Sequence, residues 1–182
     1  MNLATQITVL RILLTPLFVT LLLYYGPGRE RLHYYAFAVF AAACLSDAVD
    51  GYLARKLDQK TVLGSYLDPV ADKLLLLSGF LSLSFMSQLP PAIRIPAWVT
   101  IPVLTRDIII LIGSAMIFLT TGKLTAEPLF IGKVTTFCQM AALFVALLAT
   151  TEAVRMAFFT ATVALTVASG IGYLRMGGRL LR

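Results

Sequence analysis

Residues Asp47 to Asp72 read DAVDGYLARKLDQKTVLGSYLDPVAD, and this stretch holds five of the nine acidic residues in the chain. Asp47 and Asp50 are spaced i, i+3, and Asp68 and Asp72 are spaced i, i+4. On helices, each pair shares one face. Gly51 follows the first pair, Arg55 lies a turn beyond it, and Gly64 opens the segment that carries the second pair. Carboxylates that converge without a matching cation repel one another and lose hydration, so they are costly to keep. A pair of divalent ions removes that cost. Oxygen-only ligands suit Mg²⁺ or Mn²⁺, ions that commonly hold substrate phosphates in their open positions.

The surroundings of this stretch are mostly hydrocarbon. Of 182 residues, 59% are hydrophobic and 13% charged, and the mean hydropathy is +0.87. A soluble domain carries roughly twice that charged fraction. Several apolar runs reach about 20 residues, the length a helix needs to cross a bilayer core. The expected fold is all-α: an integral membrane bundle of six transmembrane helices in one domain, residues 1–182. The spans fall at about 7–25, 34–55, 62–87, 95–120, 128–149 and 154–175, punctuated by Gly26-Pro27-Gly28, by Pro90-Pro91 with Pro96, and by Thr120-Thr121-Gly122 before Pro128. Ile7 to Tyr25 lacks a basic segment before it and a small-residue cleavage site after it, so it reads as a retained span and not a signal peptide. Met1 to Gln6 is a candidate interfacial piece ahead of it. Cys44 and Cys138 make no metal spacing and no disulfide framework, and read as small buried apolar residues.

The net charge of +6 suits a surface facing anionic lipid. It does not suggest nucleic-acid binding, because the basic residues sit at helix ends or within spans and form no single patch. Arg55, Lys56, Lys60, Lys123, Arg175, Arg179 and Arg182 fall on one side of a six-span topology, and Arg29, Arg31, Arg94 and Arg155 on the other. The positive-inside rule then places the amino terminus and the acidic stretch at the cytoplasmic face of an inner membrane.

Arg11, Lys73, Arg106, Asp107 and Lys133 lie within or at the edge of apolar runs. An ionisable group there costs several kcal/mol unless it meets a partner or a wet cavity. The bland reading is an internal salt bridge or snorkelling. The functional reading is a polar chamber in which four cations face the aspartates and receive anionic groups. Asp107 is expected to pair with Arg11 or Arg106. His33 reads as a solvated or interfacial loop residue, and Trp98 with Tyr24, Tyr25, Tyr34 and Tyr35 as interfacial anchors.

From the residues alone, a two-metal site stabilises a transferring phosphoryl group, Arg55 can clamp a diphosphate, and Gly51 and Gly64 permit close approach. That describes a membrane enzyme of phosphodiester chemistry acting on a lipid. The pattern Asp47-x2-Asp50-Gly51-x2-Ala54-Arg55-x8-Gly64-x3-Asp68-x3-Asp72 resembles the signature of the CDP-alcohol phosphatidyltransferase family. The resemblance extends to Thr8–Pro16 with Arg11, to Leu67–Lys73, to Arg106-Asp107, and to Gly132–Thr136 with Gln139. It implies that family's six-helix fold, usually homodimeric. It also implies two Mg²⁺ or Mn²⁺ ions on Asp47, Asp50, Asp68 and Asp72, with Asp72 as general base. Gly51, Ala54, Arg55 and Gly64 would cradle the cytidine diphosphate of CDP-diacylglycerol. Arg106 and Lys133 would meet the phosphate of the acceptor.

Length, span count and the Gly132-Lys133 segment look most like the branch whose acceptor is glycerol 3-phosphate. This chain departs from that branch at Arg106-Asp107, where Arg-Glu is common, at Gly113-Ser114, where a second arginine often stands, and at Asn2-Leu3-Ala4-Thr5, where the family opening is Asn-x-Pro-Asn. Arg-Asp also resembles the branch that makes cardiolipin from phosphatidylglycerol, and an inositol-phosphate acceptor has less support. A different class, a transporter or other non-enzymatic protein binding a divalent ion, would more often show paired halves with interrupted helices at the midplane. Here the acidic residues form one block and the halves do not echo each other.

Overall fold

Apolar runs separated by glycine and proline fold into six helices: α1 (Leu3–Leu23), α2 (Leu32–Lys56), α3 (Val62–Phe85), α4 (Ala97–Thr121), α5 (Phe130–Leu147) and α6 (Glu152–Leu180). This computed structural model describes the backbone of residues 3–56, 62–121 and 130–180, and the side chains of 8–46, 71–113 and 130–176. Among the described residues there is no strand, so the class is all-α as expected.

The breaks have local causes. Arg29 N–H closes a turn onto the Gly26 carbonyl at 2.9 Å. Gly28 takes φ +78 there, and Pro27 before it supplies the fixed φ of a type II turn. Between α3 and α4, Arg94 braces the proline-rich connection by donating from Nε to the Leu89 carbonyl at 2.7 Å and from Nη2 to that of Ser87. At the end of α5, Ala149 is left-handed (φ 49). Its N–H reaches the Ala146 carbonyl at 3.0 Å and the Thr150 N–H reaches that of Val145 at 3.5 Å, the pairing of a Schellman cap. From Leu3 onward the amino-terminal piece is helical and continuous with α1, since Ala4-Thr5-Gln6 contains nothing that breaks a helix.

The chain divides into two compact units, one of Met1–Arg94 with Ala146–Ala149 and one of Ile95–Val145 with Thr150–Arg182. In unit 1, α1 packs on both α2 and α3. Phe18 and Phe40 meet across the α1–α2 contact with ring centroids 5.6 Å apart. On α3, Ala71, Leu75, Phe80 and Leu83 are buried at helical spacing. In unit 2, α4 packs on α6. The hydroxyl of Thr135 donates to the Leu165 carbonyl and that of Thr162 to the Cys138 carbonyl, each at 3.2 Å, so α5 lies antiparallel to α6.

Which residues are hidden is inverted relative to a water-soluble helix. On α1 the inward face holds Thr8 and Arg11 beside Phe18 and Leu22, while Leu10, Leu13 and Leu17 are exposed. On α4, Thr100 and Arg106 are buried while Ile101, Ile108, Leu111 and Ile112 face outward. Leucine and isoleucine on the outside with arginine within is the arrangement a lipid solvent favours. Among the described residues, Phe130–Leu147 and Glu152–Met176 are long and apolar enough to cross a bilayer, and Thr8–Leu23 and Leu32–Ser46 are shorter apolar stretches. Cys44 and Cys138 form no disulfide and are half-buried, not fully buried as expected. Each lies one helix position away from a fully buried neighbour, Ala43 and Gln139 respectively.

Candidate active site

The acidic stretch spans the end of α2 and the start of α3, both in unit 1. Asp47, Asp50, Gly51, Ala54 and Arg55 lie on α2, and Gly64, Asp68 and Asp72 on α3. Both segments being helical, the two aspartate pairs are separated by about 60° and about 40° around their helix axes. The side chains of Asp47, Asp50, Gly51, Ala54, Arg55, Gly64 and Asp68 lie outside the described residues. Asp72 and Lys73 are described, and both are half-buried on α3 beside buried Ala71. Among the described residues no group of three or more His, Cys, Asp or Glu side chains converges.

Unit 2 has a second polar centre, built around Arg106. This residue sits mid-α4 with a side chain 6% exposed, and its Nη1 pairs with the carboxylate of Asp107 at 2.7 Å. Of the two partners expected for Asp107, Arg106 stands within ion-pair distance. The hydroxyl of Ser169, on α6, accepts from Arg106 Nε at 3.3 Å and from Nη2 at 2.9 Å. The Tyr173 ring lies one turn further along α6, with its centroid 5.5 Å from the guanidinium carbon, within cation–π range. Helix α5 meets the cluster at Gly132. A Cβ built there would stand 2.7 Å from the Tyr173 hydroxyl and 3.2 Å from Arg106 Nη2, so a side chain here would force these side-chain tips to shift. The Arg106 side chain therefore reaches the backbone of the Gly132-Lys133 segment. Lys133 itself, in the first turn of α5, is exposed.

The structure thus brings Arg106 to the Gly132-Lys133 backbone within unit 2, and places Asp72 in unit 1. Ser169 and Tyr173 are the residues that sequence reading missed. Their signal was present: Thr162, Thr166, Ser169 and Tyr173 recur at 4, 3 and 4 residues on an otherwise apolar helix, a polar stripe at helical period. Thr162, Thr166 and Ser169 are all buried, as are Thr135 and Gln139 of α5. Thr135 satisfies its hydroxyl on the Ile131 carbonyl as well, and Thr136 on that of Gly132.

A helical chain with a clustered Asp motif on α2–α3 and an arginine held beside a glycine on α5 defines a class, and comparison with known proteins names it. The family model described as CDP-alcohol phosphatidyltransferase matches residues 1–168, and the chain belongs to this family. It is a phosphatidyltransferase. It is similar to a probable phosphatidylglycerophosphate synthase of Mycobacterium tuberculosis (strain H37Rv), at 33% identity over 177 residues, covering 95% of this chain and 80% of the relative. Two relatives named CDP-diacylglycerol–glycerol-3-phosphate 3-phosphatidyltransferase are similar as well. The one from Aquifex aeolicus is 36% identical over 149 residues (81% of this chain, 77% of the relative), and that from Escherichia coli K12 is 34% identical over 145 (78% and 74%).

Proposed function

We propose that this protein transfers the phosphatidyl group of CDP-diacylglycerol to glycerol 3-phosphate. The acceptor hydroxyl oxygen bonds to the lipid-side phosphorus, the bond from that phosphorus to the bridging oxygen breaks, and CMP leaves with that oxygen. The observation that carries the choice of acceptor is similarity along 95% of this chain to a relative named for phosphatidylglycerophosphate synthesis.

The donor set of the acidic stretch fits divalent ions, since it offers only carboxylate oxygens, paired on helical faces of two consecutive helices. In this reading Asp47, Asp50, Asp68 and Asp72 hold two ions, Mg²⁺ or Mn²⁺. When bound, such ions neutralise charge on the phosphoryl oxygens. Gly51, Ala54, Arg55 and Gly64 hold the cytidine diphosphate. Asp72 takes the proton of the attacking hydroxyl. Arg106 and Lys133 receive the phosphate of the acceptor, an assignment supported by the approach of the guanidinium to Gly132.

The same proposal has six membrane-crossing helices, the active site at the cytoplasmic face of the inner membrane, and a homodimer. Residues 1–182 form one catalytic domain, in keeping with a family match that runs through both units.

The test supplies the purified protein with CDP-diacylglycerol and Mg²⁺ or Mn²⁺, and follows CMP and lipid product with each acceptor separately. Turnover with glycerol 3-phosphate is expected. Turnover with phosphatidylglycerol alone would instead make Arg106-Asp107 the signature of a cardiolipin-forming enzyme and overturn the acceptor assignment. Turnover with inositol phosphate alone would overturn it too.

A further inference from the structure

We propose that Ser169 and Tyr173 are positioning residues for the acceptor. They hold the Arg106 guanidinium so that its remaining N–H bonds lie over the Gly132-Lys133 backbone, where the acceptor's phosphate is received. This rests on the reading of Arg106 as an acceptor-binding residue.

A guanidinium has five N–H bonds in one plane. Ser169 accepts one from Nε and one from Nη2, and Asp107 accepts one from Nη1. Among the described residues this leaves one N–H on each terminal nitrogen, and Nη2 is the atom that reaches Gly132. N–H bonds on a guanidinium suit the oxygens of a phosphate.

The choice of partners separates orientation from neutralisation. Among the described residues one carboxylate faces the guanidinium, and the rest of its shell is a hydroxyl and a ring face. Both fix the plane of the guanidinium and neither carries a full negative charge. Asp107 balances the formal charge, and the N–H bonds at the open edge keep their polarity for an anion. Ser169 is fully buried and Arg106 is 5% exposed, so water competes little for these bonds and they hold the geometry firmly. Gly132 completes the arrangement, because any side chain there would displace the Tyr173 hydroxyl or the guanidinium.

The experiment measures CMP release by the full chain and determines kcat and KM for each substrate. The variants are Ser169→Ala, Ser169→Thr, Tyr173→Leu, Tyr173→Phe and Arg106→Ala, with the Ser169→Ala/Arg106→Ala double. Ser169→Ala and Tyr173→Leu are expected to raise the KM for glycerol 3-phosphate on the order of tenfold, the effect of removing one hydrogen bond or one cation–π interaction from a dry site. The KM for CDP-diacylglycerol should stay within about twofold, because only acceptor binding is touched. Ser169→Thr, which keeps the hydroxyl, and Tyr173→Phe, which keeps the ring, should restore most of the acceptor affinity. In the double variant the Ser169 change should add nothing to Arg106→Ala, since its effect passes through that side chain.

If Arg106→Ala raises the KM for glycerol 3-phosphate while Ser169→Ala and Tyr173→Leu do not, the positioning role is wrong and the Arg106 assignment stands. If Arg106→Ala leaves that KM unchanged, both are wrong. Should Ser169→Ala not fold, Tyr173→Leu against Tyr173→Phe decides alone. A fall in kcat with both KM values unmoved marks a structural role and overturns the proposal.

Discussion

The polar centres of the two units differ in sign and in how the chain builds them. Unit 1 carries the aspartates in one stretch of sequence, on the end of α2 and the start of α3. Unit 2 carries a cation that becomes a site only when three helices meet, with Arg106 and its Ser169 partner 63 residues apart. Carboxylates must be gathered by a partner of opposite charge, so their spacing is fixed locally and repeats along the helix. An arginine can be oriented by a buried hydroxyl and a ring from a helix distant in sequence, and its own stretch shows the charge but not those partners.

In the proposed division of labour, unit 1 activates and holds the CDP-linked donor while unit 2 captures the acceptor. The largest test of that division lies in unit 1. Asp72→Asn should lower kcat by about 10³-fold with any acceptor, within the usual range for removal of a general base, while thermal unfolding in detergent is little changed. A folded Asp72→Asn protein with full turnover would falsify the assignment of Asp72 as base. Chelation of divalent ions should stop CMP release in the same assay and be reversed by Mg²⁺ or Mn²⁺.

The next effect lies in unit 2. Arg106→Ala should raise the KM for glycerol 3-phosphate by about 10²-fold, the worth of charge-assisted bonds to a phosphate, and should remove the cation that faces Asp107. Arg106→Lys keeps the charge and loses the fork, so it should recover stability more than acceptor affinity. Equal loss of donor and acceptor affinity in Arg106→Ala would erase the contrast between the units.

A smaller change is expected for Gly132→Ala, which places a methyl group 2.7 Å from the Tyr173 hydroxyl. Overpacking of this kind costs about 1–3 kcal/mol. Chemical denaturation should register that loss, and acceptor KM should rise with it. The smallest effect has the opposite sign and lies away from both centres. Ala149→Gly at the left-handed end of α5 should raise stability by up to about 1 kcal/mol with both KM values unchanged.

The helices were legible because their causes are local. Gly26-Pro27-Gly28 and Pro90-Pro91 stop helices wherever they occur, and apolar runs of bilayer length between them leave few alternatives. The acidic motif was legible for the same reason, as its spacing only makes sense on helices. Ser169 and Tyr173 were not, although their stripe is periodic. A serine and a tyrosine on an apolar helix are ordinary until Arg106 is seen to lie against them, and that meeting depends on how α4 and α6 cross. The close approach at Gly132 was hidden likewise, since the crowding atoms come from α4 and α6 and not from α5. Asp107 was readable as an ion-pair partner, but its choice of Arg106 required the geometry.

The adjacency of Arg106 and Asp107 bears on how the protein is made. They are the only ionisable residues between Ala97 and Thr121, and they face each other at 2.7 Å, so α4 has no net formal charge. An uncompensated arginine at the centre of a membrane segment costs about 2.5–3.5 kcal/mol on insertion scales. In the proposed six-span topology, the counter-ion carried as the next residue lets α4 enter lipid without net charge, before α6 has been synthesised. Neutralisation is a matter for one helix and can be complete at once; orientation waits for Ser169 and Tyr173. In that proposal, insertion and acceptor recognition draw on different partners of the same guanidinium.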